Sequence, residues 1–128
     1  MESQSGLNLW SLFIQKGYAS VNASKVEIRL TGCPDEIINV LSNAIRSCSA
    51  VDENTRKQRF QRLREGADNY WVVGVKLAGK VGRIYNQNFQ LLMLTLLSCI
   101  RDECQLFTSH SSERSRTHTL EHTYIYYK

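Results

Sequence analysis

A chain of 128 residues, 42% hydrophobic and 22% charged, fits one domain with a real core, and its composition is globular rather than disordered. The formal net charge of +4 permits a polyanionic partner without demanding one. The longest apolar stretch, 91–100, is broken by Thr95 and Ser98 and reaches about half of a bilayer crossing, so no membrane partner is expected.

The N-terminus places Glu2 ahead of its apolar residues and has no basic region. No signal peptide is therefore read, and a cytoplasmic location is expected. Without export, Cys33, Cys48, Cys99 and Cys104 are expected as reduced thiols rather than disulfides. The glycosylation triplet Asn22-Ala23-Ser24 then carries no meaning.

In chain order, Leu7, Leu9, Trp10, Phe13 and Ile14 recur at spacings near three and four, which predicts a short helix over 7–17 that stops at Gly17. Val26, Ile28 and Leu30 alternate with Glu27, Arg29 and Thr31 as in a half-buried strand. Gly32-Cys33-Pro34-Asp35-Glu36 follows. Proline in a first turn and two acids near the positive end of the dipole open a helix. Its apolar face is Ile37, Leu41, Ala44, Ile45 and Cys48. The glycine turn at its start is not an anion site, because proline removes an N–H and Asp35 and Glu36 repel an anion.

Ala50-Val51 offers a short second strand. Residues 54–64 read as a charged helix or a long loop, and Gly66-Ala67-Asp68-Asn69 as a break. Residues 70–77 form a strand with Trp71, Val73, Val75 and Leu77 on one face. Gly79 and Gly82 punctuate the chain before 81–85, which reads as a hairpin arm. Residues 88–103 form a helix that is apolar nearly all round, so self-association or docking on a larger complex through it is expected. A Ser/Arg/His-rich loop at 108–116 precedes a last strand at 117–127, rich in β-branched and aromatic residues. The whole chain, 1–128, thus reads as one α+β domain. A short N-terminal helix (7–17) precedes a ferredoxin-like βαββαβ sandwich (26–127), an antiparallel sheet with two helices on one face.

Two motifs come close to a chemistry. Gly74-Val75-Lys76-Leu77-Ala78-Gly79-Lys80 meets the first part of a phosphate loop. Val81 stands where a magnesium-binding hydroxyl belongs, and the pattern starts inside a strand, so it reads as a hairpin turn. Cys99 and Cys104 with His118 and His122 fall within the spacing of a two-cysteine, two-histidine zinc site. Cys99, however, lies in a strong helical run, and Ser115 stands where a finger needs an apolar residue. Buried thiols and exposed imidazoles are the better reading, leaving no metal and no cofactor expected. Adjacent acids such as Asp52-Glu53 and Asp102-Glu103 point to different faces and read as solvated charge. No nucleophile elbow, zinc-peptidase or dinucleotide motif occurs, so the chain is read as not an enzyme.

What remains is a basic cluster. Arg56, Lys57, Arg59, Arg62 and Arg64 are five cations within nine residues, interleaved with Phe60. Arginines bind phosphate bidentately and an aromatic can stack on a base. Arg29 and Lys76, on polar strand faces, extend the surface if their strands are neighbours; Arg114 and Arg116 add to it. The expectation is a non-enzymatic module binding RNA or DNA by its backbone within an oligomer or larger complex. The alternative is a protein-interaction module whose cations only solvate the surface.

Overall fold

Trp10, Leu12, Ile14 and Lys16 are buried while the residues between them are half-exposed. That period of two makes a strand where a helix over 7–17 was expected. The computed structural model describes residues 9–17, 25–66, 68–79, 83–104, 108–115 and 119–127, and only the backbone of Asp68, Arg83, Glu103, Cys104 and 108–110. Its elements are β1 (Leu9–Gly17), β2 (Lys25–Thr31), α1 (Asp35–Arg46), β3 (Gln61–Glu65), β4 (Asp68–Lys76), α2 (Arg83–Cys104), β5 (Thr108–Ser115) and β6 (Thr119–Tyr127).

The strands form a six-stranded antiparallel sheet in the order β3-β4-β2-β1-β6-β5. The protein is α+β, as expected, but the ferredoxin-like arrangement is not matched, since that sheet has four strands. β1 is inserted at the centre, between β2 and β6, and β5 adds an edge. Both halves follow one plan. A helix leads into a hairpin (β3–β4 or β5–β6), and the hairpin's second strand lies beside a central strand.

Further expectations change with the ladder. Residues 61–65 belong to an edge strand rather than a charged helix or loop, while Val51 makes only an isolated bridge to Leu77. Residues 83–85 open α2 instead of a hairpin arm. The serine-rich segment is a strand, β5, rather than a loop. The expected strands at 26–30, 70–77 and 117–127 and the helix after Pro34 are present within a residue or two.

One core fills the helix-covered face. α1 contributes Ile37, Ile38, Leu41 and Ile45; α2 contributes Tyr85, Phe89, Leu92, Met93, Leu96 and Ile100. They lie against Leu12 and Ile14 of β1, Ile28 and Leu30 of β2 and Val73 and Val75 of β4. Each such side chain contributes about 1.5–3 kcal/mol on burial. Trp10 and Tyr126 stack across the β1–β6 pair with centroids 4.7 Å apart. Gly32 ends β2 with φ 72°, and a Cβ there would sit 3.2 Å from the Leu9 carbonyl oxygen. Both facts favour glycine.

α2 is less uniformly buried than its composition suggests. Its second apolar side is partly used by α1 and the turn after it: Cys48 Sγ lies 3.9 Å from Thr95 Oγ1, and Cys99 Sγ 4.0 Å from the Val40 carbonyl oxygen. Ile84, Leu91 and Leu94 stay exposed. Among the described residues, no helix is long and apolar enough to cross a membrane.

Candidate nucleic-acid interface

The strand ladder sorts the predicted cations onto different faces. Arg62 and Arg64 stand opposite Trp71 and Asn69 on the helix-bearing side of the sheet. Arg29 and Lys76 stand opposite Val72 and Lys25 on the other side. Their strands are neighbours, as an extended surface required, but the sheet itself separates them from Arg62. Alternation in β2 and β4 decides this: Val26, Ile28, Val73 and Val75 take the core face, so Arg29 and Lys76 take the open one.

Phe60 does not serve as a stacking residue. It is 8% exposed and part of the core. An aromatic at the entry to an edge strand gains more from burial than from solvent. Arg56 also turns inward. Asp52 caps a run of turns through its Oδ1, which accepts from Asn54 N at 2.8 Å, and its carbonyl accepts from the N–H of Thr55 and Arg56. Arg56 Nη1 then donates to the Cys48 carbonyl at 3.5 Å, just past α1. A cation there complements the helix's negative end. Lys57 is exposed on the same turns. Arg64 Nε donates to Asn69 Oδ1 at 3.2 Å within the β3–β4 hairpin.

Arg59 and Arg62 come together, joined by a residue the basic cluster did not include. They line a groove of about 660 Å³ between α1 and the β3 edge, with Arg46, Asn39, Ser42 and Asn43 on its helical wall. Ile38, Phe60 and Trp71 complete the lining with Asp35. The Arg62 guanidinium carbon sits 5.9 Å from the centroid of Trp71, within cation–π range. Three arginines and one carboxylate thus line the groove, with Asp35 and Arg46 at opposite ends of α1. Asn39, Ser42, Asn43 and Arg46 follow the three-and-four spacing of a helix face, so this wall was legible as α1's polar side. What sequence did not reveal is that β3 stands beside it.

A second polar cluster lies under the start of α2. Lys16 is 8% exposed, with Nζ 4.3 Å from the Phe89 ring centroid, 5.6 Å from that of Tyr85 and 3.5 Å from Asn86 Oδ1. Burial lowers its pKa, against an opposing pull from Glu113. His122 Nδ1 lies 3.6 Å from Glu113 Oε2, while its Nε2 is buried without a partner. Burial also lowers the His122 pKa; Glu113 opposes this and Lys16 reinforces it. Tyr85 donates its hydroxyl to the Gly17 carbonyl at 2.8 Å. Lys16, Tyr85 and His122 lie on the core side and fasten α2 to β1 and β6, while Glu113 of β5 stays exposed.

The two near-motifs are resolved differently. A helix does follow the phosphate-loop pattern, contrary to the reading of a hairpin. Gly74, Val75 and Lys76 are nevertheless laddered against Glu27, Val26 and Lys25, which leaves no loop to cradle a phosphate there. Among the described residues no group of three or more candidate metal ligands is found. Cys99 sits on α2 and His122 on β6; the Cys104 side chain, His118 and Arg116 lie outside the described residues, as does the 22–24 triplet.

No protein-family model matches the chain, and no curated protein matches it. Among solved structures, it is similar to a conserved kinetoplastid-specific protein from Trypanosoma cruzi, with a TM-score of 0.57 and 9% identity. The alignment covers 94% of this chain and 97% of that one. The likeness is one of fold, over essentially the full length of both molecules.

Proposed function

We propose that the protein is a non-enzymatic module that binds the phosphate backbone of nucleic acid in the groove between α1 and β3. The observation behind this is that Arg46, Arg59 and Arg62 line one groove, with amide and hydroxyl donors on its helical wall. Arginine forks match phosphate oxygens bidentately, and Asn and Ser side chains add neutral donors. Lys57, two residues before Arg59, and Arg64, two residues after Arg62, are further cations nearby in the chain. A cytoplasmic site of action fits this reading.

Fluorescence anisotropy with a labelled single-stranded oligonucleotide tests it. Binding should fall steeply with salt, because neutralised phosphates release counterions. Replacing Arg46, Arg59 and Arg62 together by alanine should weaken binding at low salt at least about tenfold and lower the salt slope by about 2–3. The thermal midpoint should hold, since these side chains are outside the core. Wild-type protein that binds no oligonucleotide at low salt ends the reading.

The second reading, a protein-interaction module, is favoured by one observation: Ile84, Leu91 and Leu94 are 57%, 42% and 62% exposed along α2. An apolar ridge of this kind is a common docking feature.

A further inference from the structure

Both helices lie on one side of the sheet, and no described element covers the other. That open face has a stack at its centre. Arg29 of β2 places its guanidinium carbon 4.5 Å from the ring centroid of Tyr70 on β4 and 5.8 Å from that of Phe13 on β1. Its Nη2 is fixed by Glu27 Oε2 at 3.0 Å, so the arginine is held among the rings and the acid is neutralised. Phe13 and Tyr70 remain half-buried rather than covered.

Four residues along β2, roughly 13 Å away, Lys25 stands directly opposite Lys76. Like charges directly opposite on neighbouring strands destabilise a sheet. Glu27, the carboxylate in the same hollow, is already committed to Arg29. Between the stack and the lysines lies Gly74, opposite Glu27. It does not have positive φ, and a Cβ there would meet nothing within 4 Å. Neither backbone nor packing calls for glycine, which weakens a strand interior and often marks the close approach of a ligand. The hollow at this point measures about 500 Å³ and is lined by Gln15, Lys25, Glu27, Gln58, Gly74 and Lys76, among others.

We propose that this open face is a platform for single-stranded nucleic acid, with bases stacking on the Phe13–Arg29–Tyr70 cluster and a phosphate held by Lys25 and Lys76 over Gly74. Rings and guanidinium planes accept any base by its π-face, and cations take the backbone. A duplex keeps its bases stacked on one another and offers no such face, so the occupant is a single strand. The surplus cations at one end of the face match a polyanion. The proposal rests on the nucleic-acid reading of the arginine groove and names the form of nucleic acid.

An abasic oligomer, which keeps sugar and phosphate but lacks bases, separates the two. Labelled oligothymidylate, oligouridylate and an abasic strand of equal length, about fifteen units, are titrated against wild type at low salt. At least one base-bearing strand should bind about tenfold or more tighter than the abasic one, and the tighter of the two identifies the preferred nucleic acid. Phe13→Leu with Tyr70→Leu, which keeps apolar bulk on the strands, should reduce base-bearing strands to the abasic level and leave abasic binding unchanged. Gly74→Val should weaken binding of all three strands while raising the thermal midpoint, since it fills open space with a strand-favouring side chain. If abasic and base-bearing strands bind wild type equally and with salt dependence, the platform is wrong and the groove stands. If no strand binds, the nucleic-acid reading fails and the platform with it.

Discussion

At the scale of single residues, His122 should contribute to the loss of stability in acid. Its imidazole lies between Phe89, with centroids 5.6 Å apart, and the Glu113 carboxylate, with Lys16 on the neighbouring strand. Burial lowers its pKa below the ordinary 6.5, so the unfolded chain takes up the proton first. The stability linked to this group is full above that ordinary value and is lost as pH falls through the depressed one. The thermal midpoint should therefore fall between about pH 7 and pH 5, and His122→Leu should flatten that limb. An equal slope in both proteins would show that the loss comes from other groups. Lys16 illustrates how far a residue's type can mislead. It occupies an inward position of β1 because alternation demands it, and its amine is accommodated over two rings rather than in water.

Among elements, β3 is held least. All five of its residues are exposed, and among the described strands it pairs only with β4. Its backbone amides should exchange with solvent fastest among the six strands, and those of β2, flanked on both sides, should be among the slowest. Hydrogen exchange resolved by NMR checks this; protection in β3 equal to that in β2 would contradict it. The same weakness explains why β3 was not legible. Gln61, Arg62, Leu63, Arg64 and Glu65 are good helix formers with no apolar alternation, and they are extended only because β4 supplies a template. β5 was hidden for the same reason, its serine-rich sequence being ordered by pairing with β6. β1 was misread differently. Leu9 and Phe13 on its open face and Trp10 and Ile14 on its core face together imitate helical spacing. By contrast α1 was plain, since Ile37, Leu41 and Ile45 repeat along one face and Pro34, Asp35 and Glu36 announce its start. Its polar face and the loop arginines were each visible, but their meeting across the groove was not.

For the molecule as a whole, the exposed ridge of α2 bears on assembly. If Ile84, Leu91 and Leu94 hold two copies together, light scattering should give a mass above 14.7 kDa that rises with concentration, and Leu94→Glu should return it to the monomer value. A wild-type mass that stays at the monomer value at high concentration would mean the ridge does not join two copies. The residue pattern alone determined the α+β class, the strand at 26–30, the helix after Pro34 and the presence of a cationic segment. These follow from local periodicity, capping chemistry and composition, which act over a few residues. Tertiary structure alone decided that β1 enters the centre of the sheet, that β3 and β5 exist as strands, and that Phe60 is core. It also decided that Arg59 and Arg62 join Arg46 while Arg29 and Lys76 face away from them. The reason is that strand pairing is a long-range interaction. Which face a side chain shows depends on its partner's register, and that register is set by burial across the whole sheet.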